Sequence, residues 1–204
     1  MMDALNSSKG MLEVICGPMF SGKTEELIRR LKRAEFAQLK VIAFKHKIDN
    51  RMTIECINAH NGDKFKAIAL DNPEDIRLFV GQETDIDIIA IDEVQFFSSS
   101  IISVLLELVD NKKRVIVSGL DLDFRGMPFG CISQLLTFAD YVTKLKAVCV
   151  KCGQDAHFTQ RLIDDKIARF DDPVIIVGAQ ERYQSRCRAC FILDNKYWTE
   201  IKRL

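Results

Sequence analysis

Short apolar runs rich in β-branched residues alternate with segments of helical periodicity over the first three quarters of the chain. Strands are predicted at residues 11–16, 40–44, 86–91, 114–118 and 142–148, and a further strand is predicted at 65–70. Helices are predicted at 25–38, 101–110 and 131–138, the second with serine hydroxyls at 98–100 as its cap. Strands that alternate with helices indicate βαβ units. The fold class expected is therefore α/β, with a mainly parallel, doubly wound sheet.

A glycine-rich motif follows the first predicted strand. It matches the pattern G-x-x-x-x-G-K-[ST] with Gly17, Pro18, Met19, Phe20, Ser21, Gly22, Lys23 and Thr24. In such a motif the backbone N–H groups wrap a phosphate, the lysine faces the β- and γ-phosphates, and the last hydroxyl can bind Mg²⁺. A surface glycine turn is the alternative. The strand before the motif and the helix after it favour the phosphate site.

Two acidic residues, Asp92 and Glu93, come directly after the predicted strand at 86–91. Ligands of a parallel sheet bind beyond the carboxyl ends of its strands, so both carboxylates are expected beside the phosphate. Asp92 would hold Mg²⁺, and Glu93 would reach the attacking nucleophile. A solvated turn is the alternative. Asp49 and Arg51 follow the second strand and are further candidates for metal and phosphate contacts.

Two Cys-x-x-Cys pairs lie near the C-terminus, Cys149 with Cys152 and Cys187 with Cys190. Two such pairs supply the four thiolates of a closed, structural zinc site. A redox pair and four unrelated buried thiols are the alternatives. The remaining cysteines lack this spacing and are expected to be packed thiols, namely Cys16, Cys56 and Cys131.

Composition narrows the range of partners. The 204 residues include 29 basic and 29 acidic ones, so no net charge draws the chain to nucleic acid or to an anionic membrane. No apolar run approaches the roughly 18 residues of a spanning helix, and the N-terminal residues lack the apolar segment of a secretory signal. We therefore expect a cytoplasmic protein with reduced cysteines and no membrane partner.

Aromatic side chains follow the predicted strand ends. Phe96 and Phe97 come just after the two carboxylates, and Phe124 and Phe129 follow the strand at 114–118. Flat rings beside a phosphate site suit a planar base, because stacking tolerates any base. Packing in the hydrophobic core is the alternative for each ring.

Taken in order, these motifs resemble the thymidine kinases of the cytosolic, zinc-containing type over residues 11 to about 197. The motifs in the family's order are GPMFSGKT, FKHKIDNR, IDEVQFF, GLDLDFRGMPFG, CVKC, VGAQERY and CRAC. The resemblance implies transfer of the ATP γ-phosphoryl group to the 5′-hydroxyl of thymidine, and often of deoxyuridine. The products would be dTMP and ADP, in pyrimidine deoxynucleoside salvage for DNA synthesis. A homotetramer and feedback inhibition by dTTP are also implied.

The same resemblance assigns roles to residues. Glu93 looks like the base, Asp92 and Thr24 look like the Mg²⁺ partners, and Gln95 is grouped with the ATP and Mg²⁺ residues. The nucleoside pocket would be lined by Met19, Phe96, Leu120, Phe124 and Phe129. A lid would contact the base through Thr159, Val174, Ile175, Ile176, Val177, Gly178 and Tyr183.

The resemblance also implies a division of the chain. Residues 1–148 would form the P-loop α/β nucleotide-binding domain, and residues 149–204 a small zinc-stapled lid subdomain with a lasso loop at 153–186. Two positions depart from the family. This chain has Gly178-Ala179 where Gly-Gly is common, and Ala59-His60 where Ser-His is frequent.

Two other classes of function are weighed against a nucleoside kinase. A nucleic-acid-dependent ATPase shares the phosphate motif and the acidic pair, but such motors usually need a second nucleotide-sandwiching domain and a basic surface. A switch GTPase or a non-catalytic, metal-tied scaffold is the third class. Nucleotide preference and a phosphorylation assay separate these classes.

Overall fold

The structure is a computed structural model, and it describes residues 9–48, 56–59, 61–82, 85–175 and 181–193. The helices in chain order are α1 (Lys23–Phe36), α2 (Glu74–Gln82), α3 (Ile101–Asp110) and α4 (Ile132–Phe138), with a 3₁₀ turn at Val94–Phe96 between α2 and α3. The strands in chain order are β1 (Met11–Cys16), β2 (Val41–His46), β3 (Cys56–Asn58), β4 (Lys64–Lys66), β5 (Ile68–Leu70), β6 (Ile88–Asp92), β7 (Arg114–Gly119), β8 (Tyr141–Lys144), β9 (Ala147–Val148), β10 (Asp155–Ala156), β11 (Phe158–Ile163), β12 (Lys166–Ile167) and β13 (Glu181–Arg186).

A six-stranded sheet, here called the central sheet, forms the middle of the molecule in the order β5-β2-β6-β7-β1-β8. Each pairing in it is parallel. All six residues of β1 and all five of β6 are buried, as expected for parallel strands that are covered on both faces. The predicted mainly parallel α/β fold is therefore confirmed.

Helices cover both faces of the central sheet. Leu27, Ile28 and Leu31 of α1 pack on one face, and residues of α3 such as Val104 and Leu105 belong to the core on the other face. Each helix presents an apolar stripe at the spacing of helical turns, so the burial follows directly from the sequence periodicity. The helices leave open the sheet edge at which the parallel strands end, here called the carboxyl edge. The loops that follow these strands lie there.

Several sequence predictions need correction. The single strand predicted at 142–148 is two strands, because the Leu145 N–H donates to the Cys16 carbonyl and the chain then leaves the central sheet for β9. The strand at 65–70 is also divided, into β4 and β5. Helix α2 was not predicted. Within the described residues around α3, Ser100 precedes the helix without a capping side-chain hydrogen bond; its hydroxyl instead hydrogen-bonds that of Ser98.

The C-terminal part of the described chain is built from short antiparallel strands. The β9 and β10 strands form one pair, and β11 lies between β12 and β13 in a three-stranded sheet, here called the small sheet. Phe158 of the small sheet stacks on Phe191 with ring centroids 4.6 Å apart. None of the helices in the described ranges has both the length and the apolar character that crossing a membrane requires.

Candidate active site

The phosphate loop, residues 17–24, connects β1 to α1 at the carboxyl edge. Gly17 has φ 148°, and a Cβ there would lie 2.5 Å from the Leu145 carbonyl oxygen, so no other residue fits without a shift of the backbone. The buried Lys23 donates from Nζ to the Pro18 carbonyl oxygen at 2.8 Å, and the Ser21 hydroxyl donates to the same oxygen at 2.8 Å. The lysine is therefore held inside the loop, at the N-terminal end of α1, where an anion is favoured.

Asp92 ends β6 beside the phosphate loop. Its Oδ2 accepts a hydrogen bond from the Thr24 hydroxyl at 3.3 Å, and its Oδ1 accepts from the Ser118 hydroxyl and from the Glu93 N–H. The carboxylate is buried. A carboxylate and a hydroxyl are oxygen ligands of the kind that Mg²⁺ takes, so this pair suits a magnesium site.

Glu93 has a left-handed backbone, with φ 53°. This conformation is uncommon for residues other than glycine, and it recurs where a structure aims a functional side chain. The Glu93 carboxylate accepts from the Gln95 side-chain N–H group at 2.5 Å, and the side-chain Oε1 of Gln95 in turn accepts from the Leu120 N–H at 3.1 Å. Gln95, for which the resemblance predicts a place among the ATP and Mg²⁺ residues, thus links Glu93 to the residue that follows β7.

Two polar residues beside Asp92 were missed by the sequence reasoning. Lys45 of β2 is the register partner of Asp92 and is 2% exposed, and Ser118 of β7 hydrogen-bonds Asp92 from the other side. Paired residues of a sheet lie on the same face, so a lysine, an aspartate and a serine form a row across three strands. The sequence signal for Lys45 is a charged residue inside a β-rich run. Only the register between β2 and β6 shows that Lys45 lies beside Asp92.

The aromatic residues near the carboxyl edge separate into two groups. The Phe96 and Phe129 rings meet edge to face with centroids 5.6 Å apart, and both are partly exposed. Phe97, by contrast, is buried in the core beneath α3, and Phe124 is buried as well. The core alternative therefore holds for Phe97. Leu120 is half-buried, and Phe20 is exposed in the phosphate loop.

The small sheet contacts the phosphate loop directly. The Thr159 hydroxyl accepts a hydrogen bond from the Met19 N–H at 3.0 Å. Tyr183 is half-buried in β13, Val174 is half-buried and Ile175 is exposed. The remaining predicted site residues lie outside the described residues; they are Asp49, Arg51, Ile176, Val177 and Gly178. Of the residues at which the chain departs from the family, His60 and Ala179 also lie outside them, and Ala59 is described and buried.

The four cysteines of the two Cys-x-x-Cys pairs come together in one cluster, here called the cysteine cluster. The Sγ atoms of Cys149, Cys152, Cys187 and Cys190 all lie within 4.8 Å of one another. Four sulfur ligands at such separations fit a tetrahedral zinc ion, and they leave no open position for water or substrate. The cluster can therefore hold a structural zinc ion at the junction between β9 and the end of β13.

The other cysteines differ in their surroundings. Burial raises the pKa of Cys16 to about 11, with the Asp121 charge adding to the effect, and burial raises the pKa of Cys131 to about 11. Both thiols stay protonated and pack in the core, as predicted. Cys56 is only partly buried.

The protein-family model described as thymidine kinase matches residues 10–191 of the chain. This range includes the phosphate loop, Asp92, Glu93 and the cysteine cluster, so both parts of the predicted site lie within the matched region.

Proposed function

We propose, on the premise that the chain belongs to the thymidine kinase family, that it transfers the γ-phosphoryl group of ATP to the 5′-hydroxyl of thymidine and of deoxyuridine. Membership of the family makes the chain a kinase that phosphorylates thymidine. The proposal adds the donor, the acceptor atom, the second nucleoside and a role in deoxynucleoside salvage. The observation that carries it is the contact of the phosphate loop with Asp92, one residue before Glu93.

The phosphate loop would bind the donor. Its N–H groups and the N-terminus of α1 would hold the β- and γ-phosphates, and Lys23 would exchange the Pro18 carbonyl for a phosphate oxygen. Thr24 and Asp92 would hold Mg²⁺, which neutralises the charge on the transferred phosphoryl group when bound. Asp49 and Arg51, which follow β2, would add a metal contact and a phosphate contact.

Glu93 would accept the proton of the attacking 5′-hydroxyl. Phosphoryl transfer depends mainly on positioning and charge stabilisation, and a carboxylate that takes the hydroxyl proton orients the nucleophile. The hydrogen bond from Gln95 supports this role because it holds the carboxylate in one orientation. The left-handed backbone of Glu93 turns the side chain out of the line of β6.

The nucleoside would bind between the loops of the carboxyl edge and the C-terminal part of the chain. Met19, Phe96, Leu120, Phe124 and Phe129 would line one side. On the other side, a lid would contact the base through Thr159, Val174, Ile175, Ile176, Val177, Gly178 and Tyr183. The hydrogen bond between Thr159 and Met19 supports the lid assignment, since it brings β11 to the donor site.

The two proposed domains would have separate roles in substrate binding. Residues 1–148 would carry the nucleotide site, and residues 149–204 would form the lid subdomain, with zinc holding both ends of the lasso loop at 153–186. A lid needs mobile residues between fixed ends. The cysteine cluster supports this proposal, because its two Cys-x-x-Cys pairs flank the loop and lie together.

Regulation and assembly complete the proposal. The end product dTTP carries both a thymidine and a triphosphate, so it can occupy parts of both substrate sites as a feedback inhibitor. We expect a homotetramer in the cytoplasm that binds neither nucleic acid nor membrane. The exposed edge strand β8, with Tyr141 and Val142 turned to solvent, offers an apolar surface for such assembly.

A coupled assay of ADP formation tests the proposed function against a nucleic-acid-dependent ATPase. ADP should form from Mg-ATP only when thymidine or deoxyuridine is added, and single-stranded DNA or RNA should not stimulate it. Stimulation by nucleic acid without any effect of thymidine would support the ATPase. Equal turnover with GTP and no response to thymidine would support a GTPase.

A further inference from the structure

Arg161 of β11 is a buried, charged residue that the proposed reaction does not use. It is 0% exposed. Burial of a guanidinium group is unfavourable unless its charge and its N–H groups find compensating partners. The position of this side chain is therefore closely determined by its surroundings.

Two contacts of Arg161 relate it to opposite sides of the proposed nucleoside pocket. The guanidinium carbon lies 3.6 Å from the centroid of the Phe124 ring. The Nη1 atom of the same guanidinium group donates to the Pro173 carbonyl oxygen at 2.7 Å and approaches the Val174 carbonyl oxygen at 3.4 Å. A flat guanidinium can stack on a ring while donating in its own plane, and a lysine ammonium cannot do both in this way.

The strand geometry extends this link to the phosphate loop. Thr159 lies two residues before Arg161, so both side chains are on the same face of β11. Thr159 accepts from the Met19 N–H, and Tyr183 is the register partner of Arg161 on β13. One face of the small sheet thus contacts the phosphate loop, the loop of Phe124 and the segment at 173–174.

We propose that Arg161 is a positioning residue for nucleoside binding. By stacking on Phe124 and holding the carbonyls of residues 173–174, it fixes the distance between the two walls that receive the base. The inference rests on the proposed function, because Phe124 and Val174 are assigned to the pocket there. Phe124 and Val174, which Arg161 contacts, are assigned to the nucleoside and not to ATP, so the effect of Arg161 falls on the nucleoside.

The test compares R161K with the matched control R182K. Arg182 lies on β13 of the same sheet, and its side chain is 75% exposed in an ion pair with Asp165. We expect R161K to raise KM for thymidine about tenfold or more, because the stacked and hydrogen-bonded geometry is lost. The KM for ATP and kcat should stay within about twofold, and R182K should match the wild type in all three. Thermal unfolding of each variant is measured alongside.

A double-mutant cycle with F124L separates positioning from general loosening of the fold. If Arg161 acts through Phe124, R161K should raise KM for thymidine much less in the F124L background than alone. Unchanged KM for thymidine in R161K would overturn the proposal, as would equal increases for thymidine and ATP. Failure of both R161K and R161Q to fold would show a purely structural role and would also overturn it. If the wild type itself makes no dTMP, the proposed function fails instead.

Discussion

The Thr24 hydroxyl donates a hydrogen bond to the Asp92 carboxylate over 3.3 Å, although 68 positions of the chain separate the two residues. The contact arises because α1 begins beside the end of β6, with β7 lying between β6 and β1 in the central sheet. It joins the residue that ends the phosphate loop to the residue before Glu93. A donor phosphate bound by the phosphate loop and an acceptor hydroxyl beside Glu93 can therefore lie close to each other.

Replacing Glu93 by glutamine should lower kcat by about 10²–10⁴, because the amide cannot take the hydroxyl proton. ATP affinity should be nearly unchanged, since Glu93 is not assigned to the donor. Steady-state kinetics with thymidine, together with ATP titration, check both parts. The matched control is E107Q, at an exposed glutamate paired with Arg77 in the described structure, which should behave as wild type. Turnover of E93Q at the wild-type rate would remove Glu93 from the mechanism.

Replacing Lys23 by methionine should abolish most of the stabilisation that Mg-ATP gives to the folded chain. The lysine supplies the positive charge inside the phosphate loop, and a ligand stabilises a fold only as far as it binds. We expect the ATP-dependent rise in Tm to shrink and kcat/KM for ATP to fall by about 10²-fold or more. K32M, which changes a partly exposed lysine of α1, should keep both. An undiminished Tm response in K23M would refute the donor site.

Removal of zinc should loosen the lid without unfolding the central sheet. We expect elemental analysis to find one zinc per chain, lost in C152S and retained in the control C56S, because Cys56 lies outside the cysteine cluster. Loss of the metal should raise KM for thymidine more than KM for ATP and lower the Tm, since zinc binding contributes to folding. A wild-type protein purified with zinc in the medium and holding none would contradict the assignment.

Stability should depend strongly on Glu13 of β1. Its buried carboxylate accepts from Arg30 of α1 at 2.6 Å and from Arg114 of β7 at 2.5 Å. E13Q removes the carboxylate that two mostly buried guanidinium groups share. Arg30 keeps its ion pair with Glu26, so the loss falls mainly on Arg114, and we expect the free energy of unfolding to fall by about 3 kcal/mol. D85N, which breaks an exposed pair with Lys40, should cost less than about 1 kcal/mol. Urea denaturation of both variants measures the difference. A loss in E13Q no larger than in D85N would show that the network is energetically minor.

The parts of the fold that carry the nucleotide site were predictable from sequence. Buried parallel strands such as β1 and β6 read as continuous apolar runs, and the glycines and acidic residues at their ends mark the turns toward the ligand. Helix α1 and helix α3 show clear apolar stripes. The cysteine spacing likewise predicted the cluster, because two Cys-x-x-Cys pairs need only a simple fold to meet.

The remaining parts depend on contacts that no local pattern reveals. Lys45 becomes part of the site only through its register opposite Asp92, and Arg161 only through a ring that lies far away in the chain. The small sheet was missed because its main strands mix polar with apolar residues on both faces. In β11 the face with Phe158 packs on Phe191, while the opposite face buries Thr159 and Arg161.

Direct identification of the product tests the central claim. The protein is incubated with Mg-ATP labelled in the γ-phosphate and with each of thymidine, deoxyuridine, deoxycytidine, deoxyadenosine and deoxyguanosine, and the products are separated by chromatography. We expect labelled 5′-monophosphates of thymidine and deoxyuridine, with the label lost in E93Q. Labelled inorganic phosphate alone, at the same rate with and without nucleoside, would contradict it.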